Sequence, residues 1–451
     1  MRNDFNRRCY AAYNTLLLPL SPAAILYTLY RRHIQGRSAA SLRGQQGYVP
    51  ASVVHALHPA PGRQSGPCIW IHAVSVGETM AARPVARALR EALPHCRIGF
   101  SVTTDTGYET AQGAVRAGDV DAVFYFPLDL PVRVRRALRA VKPDVFITME
   151  TELWPNFLSL ARQRGVHTFL VNGRVSDNLL KTAPRLGWVW RWMMGNLDAA
   201  LMRSDFDAER LQTLPGAPAR IEVTGDVKLD SVPTGAASQA ARETWREKLG
   251  IVANAPLWVA GSTHSGEEEL ILRGYTKLRQ EMPQLRLILA PRHIERVDEV
   301  MQVIHSCQLP AVRRTQVETV TPSLADAVIV LDTVGELAQI YAAADVAFVG
   351  GSLIERGGHN LLEPVLCGVP VAFGPYVMNF REASKLAESA NVGRMVHNEQ
   401  ELYTITKQWL RDDAARRDVA ERARTALIPH HGAAARVARI VAETVTAKQN
   451  P

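Results

Sequence analysis

Short apolar strands alternate with helical segments along most of this 451-residue chain, and this alternation limits its fold more than any other feature. The first half contains seven strand-like runs: CIWIHAV, RIGFSVT, AVFYFP, DVFITM, HTFLVN, DAALMRS and RIEVTG. The segments between them are helical; GETMAARPVARALREAL, for example, has apolar residues three and four positions apart. This α/β alternation predicts a parallel sheet covered by helices.

The pattern restarts after the small-residue segment SVPTGAASQA, residues 231–240, which is typical of a linker. The second half contributes LWVAGS, LRLILAP, DAVIVLD, DVAFVGGS and GVPVAFG. We therefore predict two doubly wound, Rossmann-like domains that face a cleft, over residues 46–230 and 231–430. A last helix, over 431–451, is expected to cross back to the first domain. Ligands of such sheets bind beyond the carboxyl ends of the strands.

The N-terminus combines positive charge with a long apolar run. Residues 1–43 contain seven arginines and one aspartate, and so hold most of the net charge of +8. Between Arg8 and Arg31 lie 22 uncharged residues, enough to span a bilayer as a helix, although two prolines interrupt them. We predict a membrane-anchoring segment over residues 1–45 that contacts membrane lipid, either across the bilayer or in its interface. A buried core helix and a cleaved signal peptide are the alternatives.

The rest of the chain is nearly neutral. The five cysteines of the whole chain are scattered without a C-x-x-C pair. A nearly neutral body does not favour nucleic acid as a partner. Scattered cysteines argue against a zinc site and against a disulfide framework. The folded body is therefore expected in a reducing compartment.

The densest motif is VGGSLIERGGHNLLEPVLCGVPVAFGP, residues 349–375. A predicted strand ends in Gly350 and Gly351, and a helix is predicted to begin near Asn360. Glycines let backbone N–H groups approach an anion closely, and a helix N-terminus attracts negative charge. The motif predicts a phosphate-binding loop, with Glu363 placed for ribose hydroxyls. Alternatively, the glycines form plain turns and Glu363 only complements the helix dipole.

Three other loops in this half also follow strands. Arg292 and His293 come after LILAP, and an arginine there could bind a phosphate through two hydrogen bonds. Gly335 and Glu336 lie at another helix start, as does the segment VAGSTHSGEEE, whose three glutamates suggest a charged first turn. Together, the four loops predict a nucleotide site at one sheet edge. The Walker and dinucleotide-binding glycine patterns are missing, which disfavours NTPase and dehydrogenase functions.

Acidic residues mark the first domain. Glu78 lies in the first helical turn after the first strand, where it is either a helix-dipole partner or a catalyst. Glu150 and Glu152 end the strand DVFITM, and Lys228 follows the last strand before the linker, facing a leaving phosphate or solvent. Two Asp-x-Asp pairs, in GDVDA and RSDFDAE, are weak candidates for a divalent metal.

Several long segments resemble the Kdo (3-deoxy-D-manno-octulosonic acid) transferases of Gram-negative lipid A assembly, which are GT-B glycosyltransferases. The matching segments are HAVSVGET, METELWPN, GSTHSGEEE, APRHIERV, VGEL, GGSLIERGGHNLLEP and FGPYVMNF. The resemblance covers nearly the whole chain, including the apolar N-terminus. It departs from the family motif at Leu361, where a proline often stands, and in the variable PYVM.

The resemblance implies transfer of Kdo from CMP-Kdo to the 6′-hydroxyl of lipid IVA, with inversion of the anomeric centre, at the cytoplasmic face of the inner membrane. It implies that Glu78 is the general base and that Glu150 and Lys228 stabilise the transition state. The CMP-binding positions that it implies are Pro291, Arg292, Gly335, Glu336, Leu337, Asn360, Leu361, Leu362 and Glu363.

The chemistry is compatible with these roles. CMP leaves as a monophosphate ester, so no diphosphate requires a metal, and we expect neither a metal nor another cofactor. Fixed cations such as Lys228 and Arg292 can receive the developing charge. An inverting displacement needs a base opposite the leaving group. The helix dipole is expected to lower the pKa of Glu78 and keep its carboxylate ionised.

Three alternatives stay open. A nucleotide-sugar epimerase on the same fold would need no membrane segment. A membrane-tethered nucleotide-binding module would show no turnover. A UDP-GlcNAc-dependent glycosyltransferase acting on a lipid-linked acceptor would prefer UDP to CMP.

Overall fold

The computed structural model describes residues 2–17, 38–59, 66–231, 239–252, 254–319, 327–427 and 431–447. The chain divides into two compact units: unit 1 comprises Met1–Ser231 and His430–Pro451, and unit 2 comprises Val232–Pro429. Each unit contains a parallel sheet with helices around it, as the strand–helix alternation predicted. Most of the predicted linker, residues 232–238, lies outside the described residues.

Unit 1 contains all seven predicted strands. They are β1 (Cys68–His72), β2 (Arg97–Val102), β3 (Ala122–Tyr125), β4 (Val145–Met149), β5 (His167–Gly173), β6 (Ala199–Met202) and β7 (Ile221–Val223). Its described helices are α1 (Arg2–Leu17), α2 (Ala39–Gln45), α3 (Ala51–Leu57), α4 (Val76–Ala92), α5 (Asp105–Arg116), α6 (Pro131–Val141), α7 (Pro155–Arg162), α8 (Asp177–Thr182), α9 (Gly187–Met194), α10 (Asp205–Thr213) and, near the C-terminus, α19 (Ala433–Ala447).

The sheet of unit 1 has the doubly wound order β3-β2-β1-β4-β5-β6-β7 among the described strands. The central strand β1 pairs with both β2 and β4, with Ile69 opposite Ile98 and Val145, and all of its residues are buried. One core lies between the sheet and the helices α4 and α19, where Val85 and Val437 belong to the same buried cluster. The last described helix of the chain thus packs within unit 1.

Helix α1 packs against the rest of unit 1 through aromatic and amide groups. The ring centroids of Tyr13 and Trp192 lie 5.5 Å apart, and those of Tyr10 and Trp192 lie 6.2 Å apart. The side-chain amides of Asn14 and Asn156 exchange two hydrogen bonds, of 2.8 and 3.0 Å. Among the described residues, no helix combines the length and apolarity needed to cross a membrane. The predicted anchor, residues 1–45, lies partly outside the described residues, because 18–37 are not described.

Unit 2 contains the five predicted strands and two that were not predicted. The strands are β8 (Leu257–Thr263), β9 (Arg286–Pro291), β10 (Ala311–Arg313), β11 (Val328–Val330), β12 (Val346–Val349), β13 (Val371–Phe373) and β14 (Gly393–Met395). The described helices are α11 (Gln239–Lys248), α12 (Glu267–Glu281), α13 (Val297–Ser306), α14 (Leu337–Ile340), α15 (Leu362–Leu366), α16 (Arg381–Ser389), α17 (Glu399–Arg411) and α18 (Asp413–Leu427).

The described strands of unit 2 are all parallel, in the order β10-β11-β9-β8-β12-β13-β14. The two strands that the sequence analysis missed, β10 and β14, form the edges. Each is short and contains an arginine, so neither forms a recognisable apolar run. All five cysteines are free thiols.

Candidate active site

Glu78 lies at the start of α4 and closes a reciprocal cap with Ser75. The Oγ atom of Ser75 accepts a hydrogen bond from the backbone N–H of Glu78 (3.3 Å) and donates one to the Glu78 carboxylate (3.1 Å). The same carboxylate accepts a hydrogen bond from the backbone N–H of Val74 (2.8 Å). The cap fixes the carboxylate at the carboxyl end of β1, where ligands of parallel sheets bind.

The pKa of Glu78 is raised to about 7, which corrects the prediction that the helix dipole lowers it. Burial is the main cause, because it removes water from the charged form. The Val74 N–H and the Ser75 hydroxyl oppose the shift, whereas the nearby carboxylates of Glu150 and Glu152 add to it. A carboxyl group with a pKa near the working pH suits a general base better than one that is always ionised.

Glu150 and Lys228 form a close ion pair beside Glu78. The Nζ atom of Lys228 lies 2.6 Å from Oε1 of Glu150. Burial alone would lower the pKa of Lys228, but the charges of Glu150 and Asp226 outweigh it and raise this pKa. Glu150 has a φ of +55°, a left-handed conformation that is unusual for a residue other than glycine. Of the predicted site residues, Glu150 thus has a strained backbone conformation, and Lys228 has a side chain held by an ion pair.

Arg174 is a neighbour that the sequence analysis did not identify. It follows β5, at the same edge of the sheet as Glu150, and it is half-buried. Burial and the charge of Arg203 lower its pKa, while the charge of Glu150 opposes this change. A single arginine after a strand in VNGRVSD gave too weak a signal to be singled out.

Aspartates of both Asp-x-Asp pairs form ion pairs with arginines. Asp119 lies 2.7 Å from Nε of Arg83, and Asp207 lies 2.7 Å from Nε of Arg203. Asp121 lies 2.9 Å from an amino nitrogen of Arg90. Within the described part of the chain, no group of histidine, cysteine and acidic residues could hold a metal ion.

In unit 2, the Gly350–Gly351 turn does not offer its N–H groups to a ligand, contrary to the prediction. The Glu267 carboxylate accepts hydrogen bonds from Gly351 (2.7 Å), Ser352 (3.1 Å) and Leu353 (3.0 Å), and also from His264 (3.0 Å). Glu267 is fully buried, so the glutamates of HSGEEE are not simply a charged, exposed first turn.

The residues predicted to bind CMP lie in three loops at the carboxyl ends of strands. Pro291 ends β9, and Arg292 after it is exposed. Gly335, with a φ of +93°, precedes Glu336, which is the N-cap of α14, and Leu337 is the first residue of that helix. The side chain of Glu336 accepts a hydrogen bond from the Thr333 hydroxyl.

The third loop leads into α15, which begins at Leu362 rather than near Asn360 and has only five residues. Asn360 Oδ1 accepts a hydrogen bond from the Leu362 N–H (3.2 Å), and its amide nitrogen donates to Glu363 (3.2 Å). Leu361 is buried. Burial raises the pKa of the Tyr341 hydroxyl, and the negative charge of Glu363 adds to this increase.

The first half of the chain matches a family described as 3-deoxy-D-manno-octulosonic-acid transferase (kdotransferase) over residues 49–231. The 3-deoxy-D-manno-octulosonic acid transferase of Bordetella pertussis is 34% identical over 397 residues, which are 86% of this chain and 90% of that protein. The transferase of the same name from Haemophilus influenzae is 35% identical over 324 residues, which are 70% of this chain and 73% of that protein.

Among solved structures, a glycosyltransferase from Rickettsia africae has a similar fold. The TM-score is 0.58, and the match covers 85% of this chain and 99% of that protein. The sequence identity is only 12%, so this similarity concerns the fold alone.

Proposed function

Because the chain belongs to the family of 3-deoxy-D-manno-octulosonic acid (Kdo) transferases, we propose that it transfers Kdo from CMP-Kdo to the 6′-hydroxyl of lipid IVA in lipopolysaccharide biosynthesis. In this proposal, unit 1 supplies the general base and unit 2 holds the CMP part of the donor. The reaction inverts the anomeric centre, because the base activates the acceptor hydroxyl on the face opposite the leaving phosphate.

The observation that carries the proposal is the environment of Glu78. Its carboxyl group is held by Val74 and Ser75 at a strand end, and its pKa is about 7. A sizeable fraction of the carboxyl group is therefore ionised at neutral pH, and the ionised form is basic enough to take a proton in the transition state. The Oε1 atom of Glu150 and the Nζ atom of Lys228, which lie 2.6 Å apart, provide fixed charges beside the Glu78 carboxyl group. In this role, the lysine stabilises negative charge as it develops on the leaving group.

The donor contacts are proposed from the three loops of unit 2. Pro291, Arg292, Gly335, Leu337 and the segment 360–363 follow parallel strands at one edge of the sheet. Glu363 would accept hydrogen bonds from ribose hydroxyls, and Arg292, which is exposed, would bind the phosphate. The reaction needs no metal in this scheme, because the leaving group carries a single phosphate and its charge is received by side chains.

We also propose that the enzyme works at the cytoplasmic face of the inner membrane. Seven arginines in residues 1–43 would attract anionic lipid and the phosphates of the acceptor. Residues 18–37, which carry most of the apolar run, lie outside the described residues.

The experiment that tests this function is incubation of the purified protein with CMP-Kdo and lipid IVA, followed by mass spectrometry of the lipid product. We expect lipid IVA to gain the mass of one or more Kdo residues, and the number of additions measures how many the enzyme transfers. A parallel reaction with UDP-GlcNAc should give no product. Unchanged lipid IVA from a folded, CMP-binding protein would overturn the proposal.

A further inference from the structure

Two histidines of unit 2 share one hydrogen bond. The Nε2 atoms of His264 and His359 lie 2.9 Å apart, and the ring planes are within 7° of parallel. A neutral imidazole has one N–H group and one acceptor nitrogen, so one ring donates to the other. One more proton can be added to the outer nitrogen of the donating ring without breaking this bond. A further proton would put two N–H groups face to face, so the pair has room for a single positive charge.

The fold holds this pair in place. Gly351 has a φ of +65°, and a Cβ atom there would lie 3.0 Å from Nε2 of His359 and 3.3 Å from Cδ2 of His264. Glycine is therefore needed at this position both for the backbone conformation and for the space that the rings occupy. Glu267 fixes the other side, because its carboxylate binds the backbone N–H groups of both His264 and Gly351.

Basic side chains surround the pair. The ring of His293 stands edge-on to that of His264, with centroids 5.7 Å apart. The charged or titratable side chains that act on the pair are Arg292, His293, Arg296 and Arg356. Burial, followed by these charges, lowers the pKa of His264 to about 4 and that of His359 to about 3. At neutral pH the pair is therefore uncharged in the absence of a ligand.

The neighbouring cations differ in what they already bind. Arg296 is committed to the carboxylates of Glu268 and Glu299, at 3.0 and 2.8 Å. Arg292, His293 and Arg356 are exposed around the half-buried pair, and Nδ1 of His293 lies 3.5 Å from a carboxylate oxygen of Glu295. In the adjacent glycine turn, Glu267 accepts hydrogen bonds from the N–H groups of Gly351, Ser352 and Leu353. The N–H of Gly350 donates to the Gly261 carbonyl, so this turn leaves the binding of an anion to side chains.

We propose that an anionic phosphate binds against Arg292, His293 and Arg356, and that its binding draws one proton from solvent onto the His264–His359 pair. The inference rests on the proposed function, in which this phosphate belongs to the CMP-Kdo donor. The bound anion cancels the repulsion from the surrounding cations and adds an attractive charge, and both changes favour the protonated pair. Proton and phosphate therefore strengthen each other's binding.

The added proton has a use in the transfer reaction. When the bond between the anomeric carbon and the phosphate oxygen breaks, its electron pair stays on that oxygen. The protonated pair gives its extra proton to the departing phosphate and returns to the neutral state, while the acceptor hydroxyl gives its proton to Glu78. The pair is thus a general acid for the leaving group, and each turnover begins with uptake of a proton when the next donor binds.

The test is calorimetric titration of the full-length protein with CMP at pH 6 in buffers of different ionisation enthalpy, which gives the number of protons taken up per CMP bound. The ionisation of CMP itself contributes equally in all variants. We expect the wild type to take up more protons per CMP, by up to one, than His359→Asn or His264→Asn, since the pair titrates below this pH when free. His359→Gln, which keeps a longer side chain with an N–H donor, should lose the uptake as well.

Two further variants test which histidines take up the proton when CMP binds. His397→Asn changes an exposed histidine of the same unit that pairs with Glu401, and it should take up as many protons as the wild type. His293→Asn tests the exposed neighbour, and we expect most of the uptake to persist. Equal uptake in the wild type and in all pair variants, or uptake lost only in His293→Asn, would overturn the inference and leave the proposed function standing. No binding of CMP at all would overturn both.

Discussion

Unit 1 and unit 2 each place a glutamate at the start of the first helix after a central strand, but the two carboxylates differ in what they bind. Glu78 of unit 1 accepts hydrogen bonds from one backbone N–H and one hydroxyl group, and it is partly accessible. Glu267 of unit 2 is fully buried and accepts hydrogen bonds from four backbone N–H groups.

The same position in the two folds serves two purposes. Four N–H donors satisfy the Glu267 carboxylate completely, so its role is to join the loop after β8 to the loop after β12. Glu78 has fewer donors and like-charged neighbours, so a proton can bind it near neutral pH. Glu78 is therefore suited to proton transfer, whereas Glu267 stabilises the structure.

The largest expected effect is on transfer by Glu78→Gln. Loss of the general base should reduce kcat by about 10³-fold or more, while the affinity for CMP stays unchanged. The assay is Kdo transfer to lipid IVA, with CMP binding measured by calorimetry. Glu91→Gln, an exposed glutamate on the same helix, is the matched control and should keep wild-type activity. If the affinity for CMP fell in parallel, Glu78 would instead contribute to donor binding or to the stability of the fold.

Lys228→Met should reduce transfer by about 10²-fold, because the fixed cation beside the reacting groups is lost. It should also move the acid limb of the pH–rate profile to higher pH. The reason is that Glu150, no longer paired, repels the Glu78 carboxylate more strongly and raises its pKa further. Lys228→Arg should restore part of the rate and the position of the limb. If the acid limb of Lys228→Met lay at the same pH as that of the wild type, the Glu150–Lys228 ion pair would have no influence on the pKa of Glu78.

Glu267→Ala should act on stability. It leaves four backbone N–H groups without their acceptor, and we expect a loss of about 3 kcal/mol in the free energy of unfolding. The measurement is the urea midpoint of the purified protein, with Glu388→Ala, an exposed glutamate of the same unit, as the control. A midpoint equal to that of the control would show that these loops do not depend on the carboxylate.

The smallest effect is that of Glu78→Gln on stability, and its sign depends on pH. The pKa of Glu78 in the folded state is above its ordinary value, so the folded state prefers the protonated carboxyl group. The wild type therefore loses stability as pH rises from 5 to 8, a loss that glutamine does not share. We expect the variant to gain in melting temperature relative to the wild type over this range. A difference that shrinks with rising pH would contradict the raised pKa.

The sequence predicted the architecture well because buried parallel strands leave a clear pattern. All strands with four or more residues were recognised, since each is a continuous apolar run such as that around Ile69 or Phe348. The edge strands β10 and β14 were missed because each is short and contains an arginine, so neither forms an apolar run. The start of α15 was placed two residues too early, since the Asn360 side chain forms a turn before the helix begins.

The candidate site was predicted less completely, because its key contacts join residues far apart in sequence. The Glu78 environment includes Glu150, and the carboxylate of Glu267 binds a loop more than 80 positions away. Neither neighbour can be read from local sequence. The prediction for the pKa of Glu78 was wrong for the same reason: the helix dipole is a local effect, whereas burial depends on the whole unit.

The most direct test of the central role of Glu78 is the pH dependence of kcat/KM for lipid IVA at saturating CMP-Kdo. With Glu78 as the base and a pKa of about 7, kcat/KM should rise about tenfold per pH unit on the acid side. A profile that stays flat from pH 5 to pH 8 would contradict the assignment of Glu78 as a base with a raised pKa.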